Sequence, residues 1–281
     1  MLHRIILDFC FAADSRRRQR AISWPIPLDG DLSYNLTPDR VPQMISRRGF
    51  LALSGGAVLA PSFWWAAEEF PALLDHILLG GSDLDACMAY VEGRTGVRAA
   101  LGGVHPGRGT RNALLSLGER HYLELIAPDP KQNSVESFAA KRWNLLKEMK
   151  TPRLVGWAAH SGDLEAFARK LRESGIAFGG PWPGSRTRPD GRVLNWKTLS
   201  LTDDHDGILP FFIEWGAGSL HPSADAPAGW HLQRFAVAGR DPTELSKIFQ
   251  RLGIETPIGR GEKPELRARI VGPKGTLEVS S

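Results

Sequence analysis

The feature that most constrains this chain is a pattern that occurs three times along it. An apolar run leads to an acidic turn, and a short amphipathic helix then ends in Gly followed by a β-branched residue. The three copies cover Leu73–Val97, Leu154–Ile176 and Leu232–Ile254. Each copy then closes on a strand with a glutamate among apolar residues, namely Glu124, Glu214 and Glu278. Such a repeat indicates one supersecondary unit, copied and packed against itself.

The first two copies share a longer match that follows the helix. Gly102–Arg111 and Gly179–Arg188 have two Gly, one Pro, one Gly, one Thr and one Arg at identical offsets. These glycines precede strands and do not open helices, so they indicate turns and not a dinucleotide-binding loop. Two or three strands follow each helix, which argues against a doubly wound parallel sheet. The sequence therefore predicts an α+β fold of repeated βαβββ modules, with two clear modules and a looser third.

The charge distribution argues against a nucleic-acid partner. The chain carries a net charge of +4, and residues 1–67 contain 8 Arg and 5 Asp. The remaining residues then hold 27 basic and 26 acidic side chains. Because this part is nearly neutral, it lacks the basic excess that a nucleic-acid-binding surface needs.

The repeat resembles the vicinal-oxygen-chelate superfamily and, within it, the glyoxalase-like domain proteins. The residues that carry the resemblance are Leu74–Ile77, the stretch from Gly102 to Ala113, and Tyr122–Pro130. The match covers most of the chain after about Pro71 and is loosest in the third module. It implies curled sheets that enclose a site for a small-molecule substrate, often together with a metal ion.

The resemblance also implies which residues form that site. His76, Glu124 and Glu214 match the positions of metal ligands, and Glu124 and Glu214 are also the candidate catalytic residues. Such an open site would hold a divalent ion, with Mn, Fe, Ni or Zn as the alternatives. Counting back from the acidic turns places Gly156 and Arg234 where the later modules would need the counterpart of His76.

Three further residues are predicted to bind the substrate. Arg111 and Arg188 occupy equivalent repeat positions, and their guanidinium groups could each bind a carboxylate through two hydrogen bonds. His105 lies in a turn and could line the mouth of the site. For the arginines, a solvated position in a hairpin is the alternative.

The N-terminal part resembles a twin-arginine export signal. Arg47-Arg48 precedes an apolar run of about 15 residues, which is shorter than the roughly 20 residues that span a bilayer. We therefore expect the twin-arginine export machinery as a partner and a periplasmic or otherwise exported protein. A retained signal segment would be its only link to a membrane. The predicted organisation is a disordered or untranslated extension (1–43), the signal peptide (44–67), module one with a connecting helix (68–150), module two with a linker (151–228) and module three (229–281).

Two functions follow from these features. The first is an exported glyoxalase-like metalloenzyme that acts on a small oxygen-bearing substrate as a lyase, an isomerase or a ring-cleaving dioxygenase. The alternative is a metal-free protein of the same fold that binds and sequesters a small molecule. His76 with Glu124 favours the enzyme, whereas Gly156 favours the binding protein.

Overall fold

The computed structural model describes residues 70–281, which contain four α-helices and twelve β-strands. Module one consists of β1 (Leu74–Gly80), α1 (Leu84–Thr95), β2 (Ala100–His105), β3 (Thr110–Ser116), β4 (Tyr122–Pro128) and α2 (Ala140–Glu148). Module two consists of β5 (Arg153–His160), α3 (Leu164–Glu173), β6 (Phe178–Thr187), β7 (Val193–Leu201) and β8 (Phe211–Trp215). Module three consists of β9 (His231–Gly239), α4 (Pro242–Leu252), β10 (Ile258–Arg260), β11 (Glu265–Gly272) and β12 (Gly275–Ser280). Strands and helices mix as an α+β fold requires, which confirms the predicted fold class.

The module helices begin where the acidic turns predict. Asp83 accepts a hydrogen bond from the Ala86 N–H at 2.8 Å, and Asp163 accepts one from the Ala166 N–H at the same distance. An aspartate at this position satisfies a backbone donor that the first helical turn leaves free. The repeated acidic residues are therefore helix N-caps, and they fix the start of each helix against the strand before it.

Modules one and two share one eight-stranded sheet, in the order β2-β3-β4-β1-β5-β8-β7-β6. β1 and β5 pair in antiparallel fashion at its centre, while β1 pairs with β4, and β5 with β8, in parallel. The sheet curls until its edge strands β2 and β6 lie against each other. A Cβ atom on Gly103 would lie 2.7 Å from the Thr187 carbonyl oxygen, so this seam needs a residue without a side chain.

The outer face of the curled sheet carries the main hydrophobic core. Leu79 and Trp157 point to this face, where α1, α3, α4 and the sheet of module three cover them. The Trp157 and Phe235 rings, one from each sheet, lie 5.2 Å apart. Because module three covers the outer face, the concave face is left to α2 and to a cavity.

Module three has the predicted order of elements but a different strand order. Its separate four-stranded sheet runs β10-β9-β11-β12, so β9 lies between two partners inside the module. In module one, β1 pairs within its module only with β4. Module three is thus a covering layer and adds no strand to the eight-stranded sheet. In residues 70–281, no helix combines the length and apolar character needed to cross a bilayer.

Candidate functional site

The concave face of the eight-stranded sheet encloses a cavity of about 470 Å³. Strands of both modules form its walls, and α2 lies along one side. Its polar lining includes His76, His105, Arg108, Asn112, Glu124, Arg142, Arg186 and Thr198. Its aromatic lining includes Phe138, Trp182, Trp196, Phe211 and Trp215. The size is typical of a cavity that holds a small molecule.

The Glu124 carboxylate is the buried centre of the polar lining. Oε1 accepts a hydrogen bond of 2.7 Å from the Asn112 amide, and Oε2 lies 3.4 Å from His76 Nε2. His105 Nε2 lies 3.7 Å from Oε1. Glu124 is 6% exposed, and a buried carboxylate is tolerated only with such partners. Glu124 is therefore held in place from three sides.

A second buried carboxylate, Asp75, lies behind His76. Its Oδ1 is 2.6 Å from His76 Nδ1, and its Oδ2 accepts a hydrogen bond of 3.0 Å from the Trp215 indole N–H. His221 Nε2 approaches the same oxygen at 3.3 Å. The His76 ring also stacks on Tyr122, with 4.4 Å between their centroids. These contacts fix the orientation of the His76 ring between Asp75 and Glu124.

The charges of this group depend on one another. Burial alone would raise the pKa of Glu124, but the His76 hydrogen bond, the charge of His105 once that ring is protonated and the charge of His76 outweigh it and lower that pKa to about 2. Burial alone would lower the pKa of His76, yet its hydrogen bonds with Asp75 and Glu124 raise it. Likewise, the bonds with His221 and His76 overcome burial and lower the pKa of Asp75. Asp75, His76 and Glu124 thus form a carboxylate–imidazole–carboxylate array in which both carboxylates favour the protonated ring.

His105 is held as a neutral ring on the other side of Glu124. Its Nδ1 lies 2.9 Å from the Thr110 hydroxyl, and its Nε2 accepts from the Asn112 amide at 3.1 Å. Burial lowers the pKa of His105 to about 4; Glu124 opposes this, and the nearby arginines add to it. The Asn112 carbonyl oxygen in turn accepts a hydrogen bond of 3.0 Å from Arg186. Asn112 therefore joins Glu124 and His105 of module one to Arg186 of module two.

Two further arginines line the cavity, and within residues 70–281 neither forms an ion pair with a carboxylate. Arg108 donates to the Thr198 hydroxyl at 3.2 Å, and its guanidinium carbon lies 5.2 Å from the Phe138 ring centroid. Arg142 projects from α2, and its guanidinium carbon lies 5.2 Å from the Phe211 ring centroid. Burial lowers the pKa of Arg108, and repulsion by Arg142 lowers it further. The two guanidinium groups are thus close enough to repel each other.

The structure brings three of the predicted site residues together and separates the other three. His76, Glu124 and His105 surround one another in the cavity. Glu214, Arg111 and Arg188 do not line it. The position of each of these three residues in or beside its strand explains why its side chain does not reach the cavity.

The assignment of Glu214 as a catalytic residue and metal ligand is corrected. Its Oε2 accepts the Leu164 N–H at 2.7 Å, at the first turn of α3, and its Oε1 lies 3.8 Å from Lys197 Nζ. Successive side chains of a strand point to opposite faces. Phe211, Ile213 and Trp215 therefore face the cavity, and Glu214 faces away from it.

Arg111 and Arg188 are also corrected as substrate-binding residues. In β3, Thr110 and Asn112 face the cavity, so Arg111 faces outward, where its guanidinium lies 3.9 Å from Asp85. Arg188 lies just beyond the end of β6 and donates to Asp225 at 2.7 Å. The arginine that reaches the cavity from β6 is Arg186.

The predicted three-ligand metal site does not form from these residues. Within residues 70–281, no three His, Cys, Asp or Glu side chains are placed so that they could hold a metal ion. His76 and Glu124 supply two donors, but Glu214 is on the other face of its strand. The donor set does not fit a divalent ion held by these three residues.

Sequence reasoning missed Asp75, Asn112, Arg142 and Arg186 as residues of the site. Asn112 and Arg186 lie within or beside the duplicated Gly-rich stretches, so strand alternation outward from Glu124 and Thr110 could have identified them. Arg142 lies in the connecting helix, which has no repeat partner. No sequence pattern pointed to it.

Comparisons with known proteins show what this chain is similar to. A model of the glyoxalase-like domain matches residues 74–253. A hypothetical protein from Staphylococcus aureus aligns at 18% identity with a TM-score of 0.53, over 74% of this chain and 84% of that chain. A methylmalonyl-CoA epimerase from Mycobacterium tuberculosis aligns at 23% identity with a TM-score of 0.38, over 53% of this chain and 91% of that chain. No curated protein sequence is similar enough to count as a match.

Proposed function

The chain belongs to the glyoxalase-like domain family, and we propose that its cavity binds a small organic anion without a metal ion. The observation that carries this proposal is the charge of the lining. Glu124 is paired with His76 at 3.4 Å, and Asp204 at the mouth is paired with Lys141 at 3.0 Å. In residues 70–281 neither Arg108 nor Arg142 forms an ion pair, although Glu124 attracts both at longer range. An anion would supply the missing opposite charge.

The aromatic lining indicates the rest of the ligand. The Phe138 and Trp182 rings stack with 4.7 Å between their centroids and 12° between their planes. Trp196 and Trp215 form a second pair, 5.9 Å apart. Flat apolar surfaces of this kind bind an apolar or aromatic body, while the arginines fix its charged end. We therefore expect an anion such as an aromatic or unsaturated acid.

The chemistry of Glu124 and His105 favours binding of a ligand over proton transfer to or from it. A general base works best when its pKa lies near the working pH. The pKa of Glu124 is about 2, and both nitrogens of His105 already have hydrogen-bond partners. These groups are suited to hold the Asn112 amide and Arg186 in place. A sequestering protein thus fits the array better than a lyase, an isomerase or a dioxygenase.

The test compares a charged probe with a neutral one of the same shape. Calorimetry on protein treated with a chelator should give tighter binding of benzoate than of benzamide, and addition of Mn²⁺, Ni²⁺ or Zn²⁺ should not change that preference. Equal affinity for the two probes would overturn the proposed anion site. Binding of benzoate only after a divalent ion is added would restore the metalloenzyme in its place.

Export remains a proposal that rests on the sequence alone. Arg47-Arg48 and the apolar run lie outside the described residues. We propose that the twin-arginine machinery delivers the folded chain to the periplasm or another exported location.

A further inference from the structure

Modules one and two are related by a local twofold axis between β1 and β5. In that pair, His76 lies opposite Ala158, and Leu78 lies opposite Gly156. A rotation of 180° about this axis exchanges the two strands and places the His76–Ala158 pair on the Gly156–Leu78 pair. His76 therefore corresponds to Gly156, and Leu78 corresponds to Ala158.

The same operation identifies the counterpart of Glu124. Leu78 lies beside Glu124 in the β1–β4 pair, and Ala158 lies beside Phe211 in the β5–β8 pair. Phe211 thus occupies the position of Glu124. We call Gly156 and Phe211 the second half-site. It has neither the imidazole nor the carboxylate that His76 and Glu124 present in the first.

Arg142 fills the space that these replacements leave. Its Nη2 atom lies 3.6 Å from where a Cβ atom on Gly156 would be. Among residues 70–281, leaving aside the two chain neighbours of Gly156, no other atom lies within 4 Å of that point. Its guanidinium carbon also lies 5.2 Å from the centroid of the Phe211 ring. A cation over an aromatic face is stabilised by the ring electrons. The second half-site therefore holds a guanidinium group.

The donors of this guanidinium group are free for a ligand. Within residues 70–281, Arg142 makes no hydrogen bond, while Phe211 and α2 hold the side chain half-buried at the cavity. Arg108 repels it from across the cavity. Glu124 and Asp204 attract Arg142, and Glu124 also attracts Arg108. A bound anion between the two half-buried guanidinium groups would offset their remaining repulsion.

We propose that Arg142 in the second half-site binds the carboxylate of the ligand, and that this arginine stands where a second imidazole–carboxylate pair would otherwise be. This inference rests on the proposed function and adds to it the position and chemistry of the anionic end. A guanidinium group matches a carboxylate through two parallel hydrogen bonds. The ligand would then lie with its carboxylate toward α2 and its apolar body toward Trp182 and Trp196.

The experiment uses the full chain with benzoate and benzamide as probes. Arg142→Gln should weaken benzoate binding by about 10- to 100-fold and leave benzamide binding nearly unchanged. Arg142→Lys should restore part of the loss, because it keeps the charge but not the fork. Arg111→Gln is the matched control, since Arg111 lies on the outer face of β3, and it should bind both probes as the wild type does.

Two results would overturn the inference in different ways. If the wild type prefers benzoate and Arg142→Gln keeps that preference, Arg142 is not the anion-binding group, although the proposed function stands. If the wild type shows no preference, the proposed function fails as well. A structural role is tested by thermal unfolding without ligand. Arg142→Gln should unfold at the wild-type temperature or above it, and a lower temperature would indicate that Arg142 serves packing.

Discussion

Replacing Glu124 with Gln is expected to destabilise the folded chain, because the change removes the charge that His76 faces. The pKa of Glu124 falls from 4.5 to about 2 in the folded chain. Since one pKa unit corresponds to about 1.4 kcal/mol, this difference amounts to about 3 kcal/mol of stability at neutral pH. For a domain of this size, that corresponds to a fall of about 6 to 12 °C in the unfolding temperature.

The matched control is Glu214→Gln, the same substitution on the opposite face of an equivalent strand. Glu214 is half-buried and accepts the Leu164 N–H, and a Gln oxygen can still accept it. We expect this variant to lose less than about 1 kcal/mol. Thermal unfolding by circular dichroism at pH 7 measures both variants beside the wild type.

The pH dependence gives the prediction a second readout. Because the folded-state pKa of Glu124 is lowered, its contribution to stability is present above about pH 4.5 and is lost as the pH falls toward about 2. The gap between wild type and Glu124→Gln should therefore narrow at about pH 3. If Glu124→Gln costs no more than Glu214→Gln at pH 7, the buried array does not stabilise the fold as argued.

Three further predictions concern other parts of the chain. The pKa of His105 falls from 6.5 to about 4, and between these pH values the unfolded chain binds the proton before the folded chain does. As the pH falls through this range, the wild type should therefore lose about 3 kcal/mol of unfolding free energy relative to His105→Gln. Urea titrations at several pH values measure this, and the prediction is refuted if the unfolding free energies of the two proteins change in parallel with pH. Gly103→Ala should destabilise the folded chain by about 1–3 kcal/mol. Gly118→Ala is the control and should cost less, because Gly118 also has a positive φ but its Cβ would meet no atom within 4 Å. Equal losses of stability in thermal unfolding would mean that the seam tolerates a methyl group. Replacing Arg47 and Arg48 with Lys should retain the protein in the cytoplasm, as cell fractionation would detect, and unchanged export would contradict the twin-arginine proposal.

The repeat in the sequence was sufficient to predict the elements of the fold. The caps at Asp83 and Asp163 and the apolar spacing of the helices depend on neighbours close in the chain, and such local signals survive without tertiary context. The strand order of module three depends on which strand edges pair with each other in the folded chain. An identical order of elements can therefore form a different sheet, and the pattern at Leu232–Ile254 could not distinguish the two.

Of the predicted site residues, the structure brings together His76, Glu124 and His105 and separates Glu214 from them. His76, Glu124 and His105 belong to the module in which the repeat pattern is clearest. Glu214 was aligned with Glu124 by appearance, but strand pairing makes Phe211 the counterpart, three positions earlier. An odd offset in a strand moves a side chain to the other face. Only the pairing register reveals such an offset.

The seam between β2 and β6 also has a consequence for the lifetime of the folded state. Gly103 and Thr187 meet there although they are about 80 positions apart in the chain. Contacts between such distant positions form late in folding. Interactions that form after the transition state mainly slow unfolding. A ligand that bridges the two modules should therefore protect the chain against proteases by delaying its opening, with little effect on how fast it folds.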